Sequence, residues 1–343
     1  MSQVGNHLKP MNIGDVLDYS VEAFKQNFKG IVLLSLVLYI PWTVFYSIIT
    51  NVFLDNNLTD IFNIYRNLFK GVYSPEMAER YLSDSPFINS TLASLLGMLQ
   101  MVYSITFKLV LNAAVIKMIY DYVISGEVKV NSLTDVKTLI KDCFKFMPKM
   151  MGNAVIFVLI LATAYIVSVS VAVLVVIAPV VVAFTLYLPP VLLAVTVVLL
   201  VLFVLLGVLF AVGFFAVKLI FGAHIIVIED KSISESIRRS FYLTKGKFWH
   251  IAFSGVFAFL LYYLFNSLLI GAAMILALVN NTLYIIVDAF SQMCSAIAEP
   301  FVLVFITILF INMKIQKEGL DLEIKMRKLI ENEKAGDGEL VNG

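Results

Sequence analysis

Residues 150–217 contain no Asp, Glu, Lys, Arg or His. No water-soluble fold carries such a run, because a helix or strand at a wet surface needs polar residues at its own period. A helix of about 20 apolar residues crosses the roughly 30 Å hydrocarbon layer of a bilayer. The run is long enough for two crossings, with Pro189-Pro190 the best turn and Pro179 upstream of it. Composition agrees. The 343 residues are 60% hydrophobic and 14% charged, with mean hydropathy +0.92. Soluble proteins carry about 25% charged residues. The fold class expected is an all-α integral membrane protein.

Apolar stretches place six spans, at residues 31–54, 88–112, 151–178, 190–217, 251–279 and 290–313. Lysine and arginine settle their orientation, since they concentrate on the cytoplasmic side. Lys129, Lys137, Lys141, Lys145 and Lys149 precede the long run, and Lys231, Arg238, Arg239, Lys245 and Lys247 follow it. Both segments are expected inside, as is the basic tail 314–343. The 55–86 loop is expected outside, with Ile61, Phe62, Ile64, Tyr65, Leu68 and Phe69 forming a surface helix. Both termini are then cytoplasmic, and the polar residues 1–29 are not a secretory signal. Cys143 and Cys294 fall on opposite sides, which excludes a disulfide between them. The net charge of +1 gives no global field for nucleic acid.

A threefold pattern runs through this single polytopic domain of residues 1–343. Asn12, Ser132 and Ser232 align as helix N-caps. Three residues on stand Asp15, Asp135 and Glu235, the spacing of a capping box. Lys25, Lys145 and Lys245 follow in register, and then the span starts at Ile31, Met151 and Ile251. The expectation is three parallel repeats over 12–124, 132–229 and 232–313. Each has one amphipathic helix in the inner interface and two spans. Apolar residues recur at helical spacing in the first helix (Ile13, Val16, Leu17, Phe24, Phe28) and in the second (Leu133, Val136, Ile140, Phe144, Met147).

Polar residues inside a bilayer are costly and need partners or water. Gln100, Asn266 and Glu299 are therefore the candidate intramembrane site. Glu299 is the sharpest, and the competing assignments are a proton, cation or lipid-headgroup site, or a helix–helix contact. Pro300 frees a backbone carbonyl one turn earlier, and Pro41, beside Trp42, is expected to kink the first span. Lys108 and Lys218 are expected to snorkel to the inner interface, the alternative being charges on a transport path. Neither a catalytic nor a metal-binding motif occurs, and no cofactor is expected. His224 and His250 are expected at the interface.

The opening Ile13-Gly14-Asp15-Val16-Leu17-Asp18, with Phe24 and Asn27-Phe28, resembles that of the glycerophosphodiester phosphodiesterase membrane-domain family. Residues 240–249 resemble its central cytoplasmic motif, and FINMKIQKEGLDLE at 310–323 its closing motif. Pro300 matches an upstream proline. Asn312 and Lys314 depart from the usual Asp and Arg, which puts an ion pair between them in doubt. The resemblance implies a stand-alone bacterial inner-membrane module without the hydrolase barrel, for which the chain has no room. The function expected is a non-catalytic scaffold or a lipid- or partner-interacting module. The partners expected are membrane lipids and a cytoplasmic or membrane protein. Lys317, Glu318, Gly319, Asp321 and Glu323 form the candidate docking motif. The alternative is a transporter of a small solute, ion or lipid along the repeat interface.

Overall fold

The computed structural model describes residues 9–53, 87–185, 189–277 and 281–320, together with 322 and 326. The expected surface helix at 61–69, and Asp321 and Glu323 of the candidate docking motif, lie outside the described residues. Thirteen α-helices form among the described residues: α1 (Ile13–Gln26), α2 (Phe28–Leu38), α3 (Ile40–Phe53), α4 (Phe87–Ile105), α5 (Phe107–Ser125), α6 (Leu133–Phe144), α7 (Met147–Thr185), α8 (Pro190–Leu219), α9 (Gly222–Glu229), α10 (Ile233–Thr244), α11 (Phe248–Ala277), α12 (Asn281–Ala298) and α13 (Pro300–Glu318). The chain is an all-α membrane protein. Five stretches are long and apolar enough to cross a bilayer, at 91–125, 147–173, 194–229, 248–273 and 285–318. The bent pair α2–α3 supplies a sixth.

All three expected capping boxes form. The side chains of Asn12, Ser132 and Ser232 accept from the N–H groups of Asp15, Asp135 and Glu235, and each acid reaches back to its cap. The hydroxyl of Ser132, then the N–H of Asn131, hold the Asp135 carboxyl below its usual range. Each box satisfies donors that a helix start otherwise leaves open.

Two compact units make up the chain, Met1–Met147 with Phe253–Gly343, and Pro148–Ala252. In the first, α13 is the central helix. Phe305, Ile308, Leu309 and Phe310 are fully buried, covering its circumference, and α1 and α5 pack along it. A helix apolar all round seeks such a position. The amphipathic α1 runs beside α13, with Met11 against Asn312 at one end and Phe24 edge-on to Phe301 at the other. Val16, Ser20 and Ala23 on its inner face are fully covered by protein. Gly30 marks the closest approach in this unit: a Cβ there would lie 2.9 Å from the Met118 sulfur and 3.0 Å from the Val130 carbonyl. Both cysteines are free thiols, and burial pushes Cys143 up to about 11.

The second unit differs in where its apolar surface points. The most apolar windows of 147–173 and 194–229 are 0% buried in protein, against 67% for 285–318. Lipid is the natural cover for such side chains. At its polar end, Arg239 grips Glu229 through two hydrogen bonds of 3.0 and 3.1 Å, and Lys149 pairs with Asp230 at 2.6 Å. The Ser240 hydroxyl donates to the Lys218 carbonyl, locking α10 beneath α8.

Asn312 explains itself. Its amide accepts from the Met11 N–H at 2.9 Å and donates to the Met11 carbonyl at 3.0 Å, fully buried. An aspartate has no N–H for the second bond. We expect Asn312→Leu to lower stability by about 2–6 kcal/mol, the cost of stranding two backbone groups. Thermal unfolding in detergent measures it, and an unchanged midpoint contradicts the clasp.

Candidate functional site

Three spans of the first unit are interrupted, and the interruptions meet. The first bends by 50° at Tyr39, between α2 and α3, two residues before Pro41. The second breaks at Thr106, between α4 and α5. There the Ser104 and Thr106 hydroxyls turn back onto the carbonyls of Gln100 and Val102 at 2.8 and 2.6 Å. Such back-bonding loosens a helix. The third breaks at Glu299, where Pro300 lacks the N–H that would continue the ladder.

Glu299 joins all three. One carboxylate oxygen accepts from the Tyr39 hydroxyl, and the other lies 2.7 Å from the Lys108 ammonium. Lys108 also stands over the Tyr39 ring, 5.3 Å from its centroid, within cation–π range. Lys108, expected to snorkel, thus has a carboxylate partner within the spans. The pair is not sealed, since the two side chains keep 29% and 28% of their surface accessible.

An aromatic ladder extends from the pair. Tyr39 stacks on Tyr103 with 6.1 Å between centroids, and Tyr103 on Trp42 at 5.0 Å, both tilted by only 12°. The Trp42 indole donates to the Gln100 side chain. The breaks also leave carbonyls without helical partners, and hydroxyls take them. Ser35 donates to Ala296, one turn before Pro300, at 3.3 Å, and Tyr103 donates to Leu38 at 3.0 Å. Asn266 of α11 accepts from Ser295 of α12 at 2.6 Å, one turn before Glu299. The three sequence candidates thus have separate direct partners, and the ladder links Gln100 to Glu299.

Asp288 was missed by sequence reasoning, which began the sixth span at residue 290. It accepts from Ser47 of α3 at 2.7 Å. It precedes Glu299 by three helical turns on nearly the same face, which is the signal that periodicity held.

Beside the pair lies an open apolar groove of about 470 Å³, lined by Phe24, Phe28, Leu261, Tyr262, Phe265 and Phe301 among others. That volume falls in the range of about 300–1,000 Å³ typical of ligand sites. Tyr262 belongs to both features, because it lines the groove and stands within electrostatic reach of Glu299.

The remaining candidates are placed elsewhere. Gly319 adopts φ 65°, and its N–H closes onto the Ile315 carbonyl at 3.1 Å, which ends α13. This left-handed cap explains the glycine of the candidate docking motif. Lys317 is half-buried and Glu318 exposed. In the second unit, Lys218 reaches the Thr244 carbonyl at 3.5 Å and stands over the Phe214 ring. His224, expected at the interface, is buried in protein edge-on to Phe221; at the neighbouring Gly222 a Cβ would lie 2.9 Å from the Asn153 side chain. His250 is half-buried.

Comparison with protein-family models, with curated proteins and with solved structures returned no match.

Removing one partner of an ion pair in the spans leaves an uncompensated charge. Partial exposure reduces the penalty to about 1–3 kcal/mol for Lys108→Met or Glu299→Leu alone. The double variant should lose less than the sum of the single ones, in a thermal-unfolding cycle in nanodiscs. Strict additivity would show that the two side chains do not interact.

Proposed function

We propose that this chain is a non-catalytic multi-pass membrane module that holds a membrane lipid in the groove between α1, α11, α12 and α13. The carrying observation is the groove itself. It presents phenylalanine, leucine and isoleucine to the outside of a membrane protein, with one polar corner at Tyr262. In a bilayer the medium that reaches such a surface is acyl chain, and a concave surface holds a chain longer than a flat one.

Support for the wider setting comes from the sequence. The lysine-rich segments before α7 and before α11 favour a cytoplasmic location for both termini. Three capped helices at aligned positions favour a threefold repeat. The motifs at 13–28, 240–249 and 310–323 favour a stand-alone member of the glycerophosphodiester phosphodiesterase membrane-domain family, in a bacterial inner membrane. The end of α13, which carries Lys317 and Glu318, is where a cytoplasmic protein partner would dock.

A second reading, transport, draws on the meeting of three helix breaks at one charge pair. Discontinuous helices within membrane spans recur around transported ions and solutes. Saturable flux in proteoliposomes that vanishes in Glu299→Gln would favour it.

The lipid reading predicts that gentle extraction followed by native mass spectrometry finds stoichiometric phospholipid on the chain. Ala298→Phe, which fills the groove, should reduce that occupancy at least severalfold while leaving the fold intact by circular dichroism. Equal lipid retention by the wild type and this variant would exclude the groove as the site.

A further inference from the structure

We propose that the Lys108–Glu299 pair reads the headgroup of the lipid whose chain fills the groove, and that it selects a zwitterionic phospholipid bearing a primary ammonium. The inference rests on the lipid reading above and adds the chemistry of selection.

Adjacency comes first. Ala298 and Phe301 line the groove on either side of Glu299-Pro300 in the chain, and Tyr262, which also lines it, lies within electrostatic reach of Glu299. An amphiphile lying in the groove has its polar end within reach of the pair. Access comes next. Both charged side chains keep more than a quarter of their surface open, although each already has a partner.

Charge then decides between headgroups. The site holds one cation and one anion, so a ligand that exchanges with the pair without stranding a charge must carry one of each. An anionic headgroup satisfies Lys108 but leaves the Glu299 carboxylate facing a like charge. A trimethylammonium headgroup balances the charges but has no N–H to donate. A primary ammonium donates up to three hydrogen bonds, and charge-assisted bonds to a carboxylate are the stronger kind. In the exchanged state the lipid phosphate meets Lys108 and the ammonium meets Glu299.

The surroundings favour this exchange over rearrangement of the backbone. The nearby Ala296 and Leu38 carbonyls are engaged by Ser35 and Tyr103, so the two charges are the groups that change partners. The Tyr39 ring beneath Lys108 holds the ammonium in place during the exchange. The Tyr39 hydroxyl remains as a donor to the carboxylate.

The test uses the full chain in nanodiscs of phosphatidylethanolamine, phosphatidylglycerol and phosphatidylcholine in equal amounts. Lipids retained after ejection are counted by native mass spectrometry. The expected result is about a tenfold preference for phosphatidylethanolamine, which one charge-assisted hydrogen bond accounts for. That preference should fall stepwise when the amine is methylated once and then twice, a series that needs no variant. Glu299→Gln should abolish the preference while lipid is still retained. Lipid retained without headgroup preference overturns this inference and leaves the groove reading standing. No retained lipid overturns both.

Discussion

A lysine and a glutamate held 2.7 Å apart inside the spans are the point on which the first unit turns. Unpaired, either charge would be costly within the spans, by about 1–3 kcal/mol at the exposure it keeps. Paired, they neutralise each other and fix the positions of three helices at once. Each of those helices is interrupted beside the pair, at Tyr39, Thr106 and Glu299. Interruptions in a bilayer are tolerated only where the freed carbonyls find other donors. Ser35 and Tyr103 are those donors. The ion pair and the broken helices thus depend on each other.

Burial divides the apolar residues between two tasks. Around α13 they fill a protein core, with Phe305, Phe310, Ile116 and Ile119 fully enclosed. Along α7 and α8 of the second unit, Val158, Leu159, Leu206 and Leu209 are more than half exposed and meet lipid. Hydropathy makes no distinction between these tasks, since both ask only for apolar side chains. The groove stands at the edge of the core, where Phe24 of α1 meets Phe301 of α13 edge-on and Leu261 and Phe265 of α11 line the facing wall. Tyr262 gives it a polar corner.

What the sequence discloses follows from the range of the forces involved. Local signals were readable. The caps at Asn12, Ser132 and Ser232 depend on residues three apart, and the bend near Pro41 depends on one missing N–H. Glu299 stood out as an acid in an apolar run. Its partner did not, because Tyr39 lies 260 residues away and Lys108 resembles any lysine near a membrane face. Trp42 and Gln100 are 58 residues apart, so no local pattern joins them. Asp288 lies two residues before the apolar stretch that marks the sixth span, so hydropathy does not single it out. The role of Asn312, seen only as a departure from a motif, required Met11 at the other end of the chain. Pairing between distant segments depends on how helices pack, which periodicity alone does not encode.

The contact between Lys108 and Glu299 is the claim from which the rest follows. Solid-state NMR of the full chain in lipid bilayers, with the Lys108 side-chain nitrogen and the Glu299 carboxyl carbon labelled, reads their separation directly. The account predicts strong dipolar coupling, as the 2.7 Å nitrogen–oxygen contact requires. A separation beyond about 6 Å would contradict it, because side chains that far apart form no ion pair.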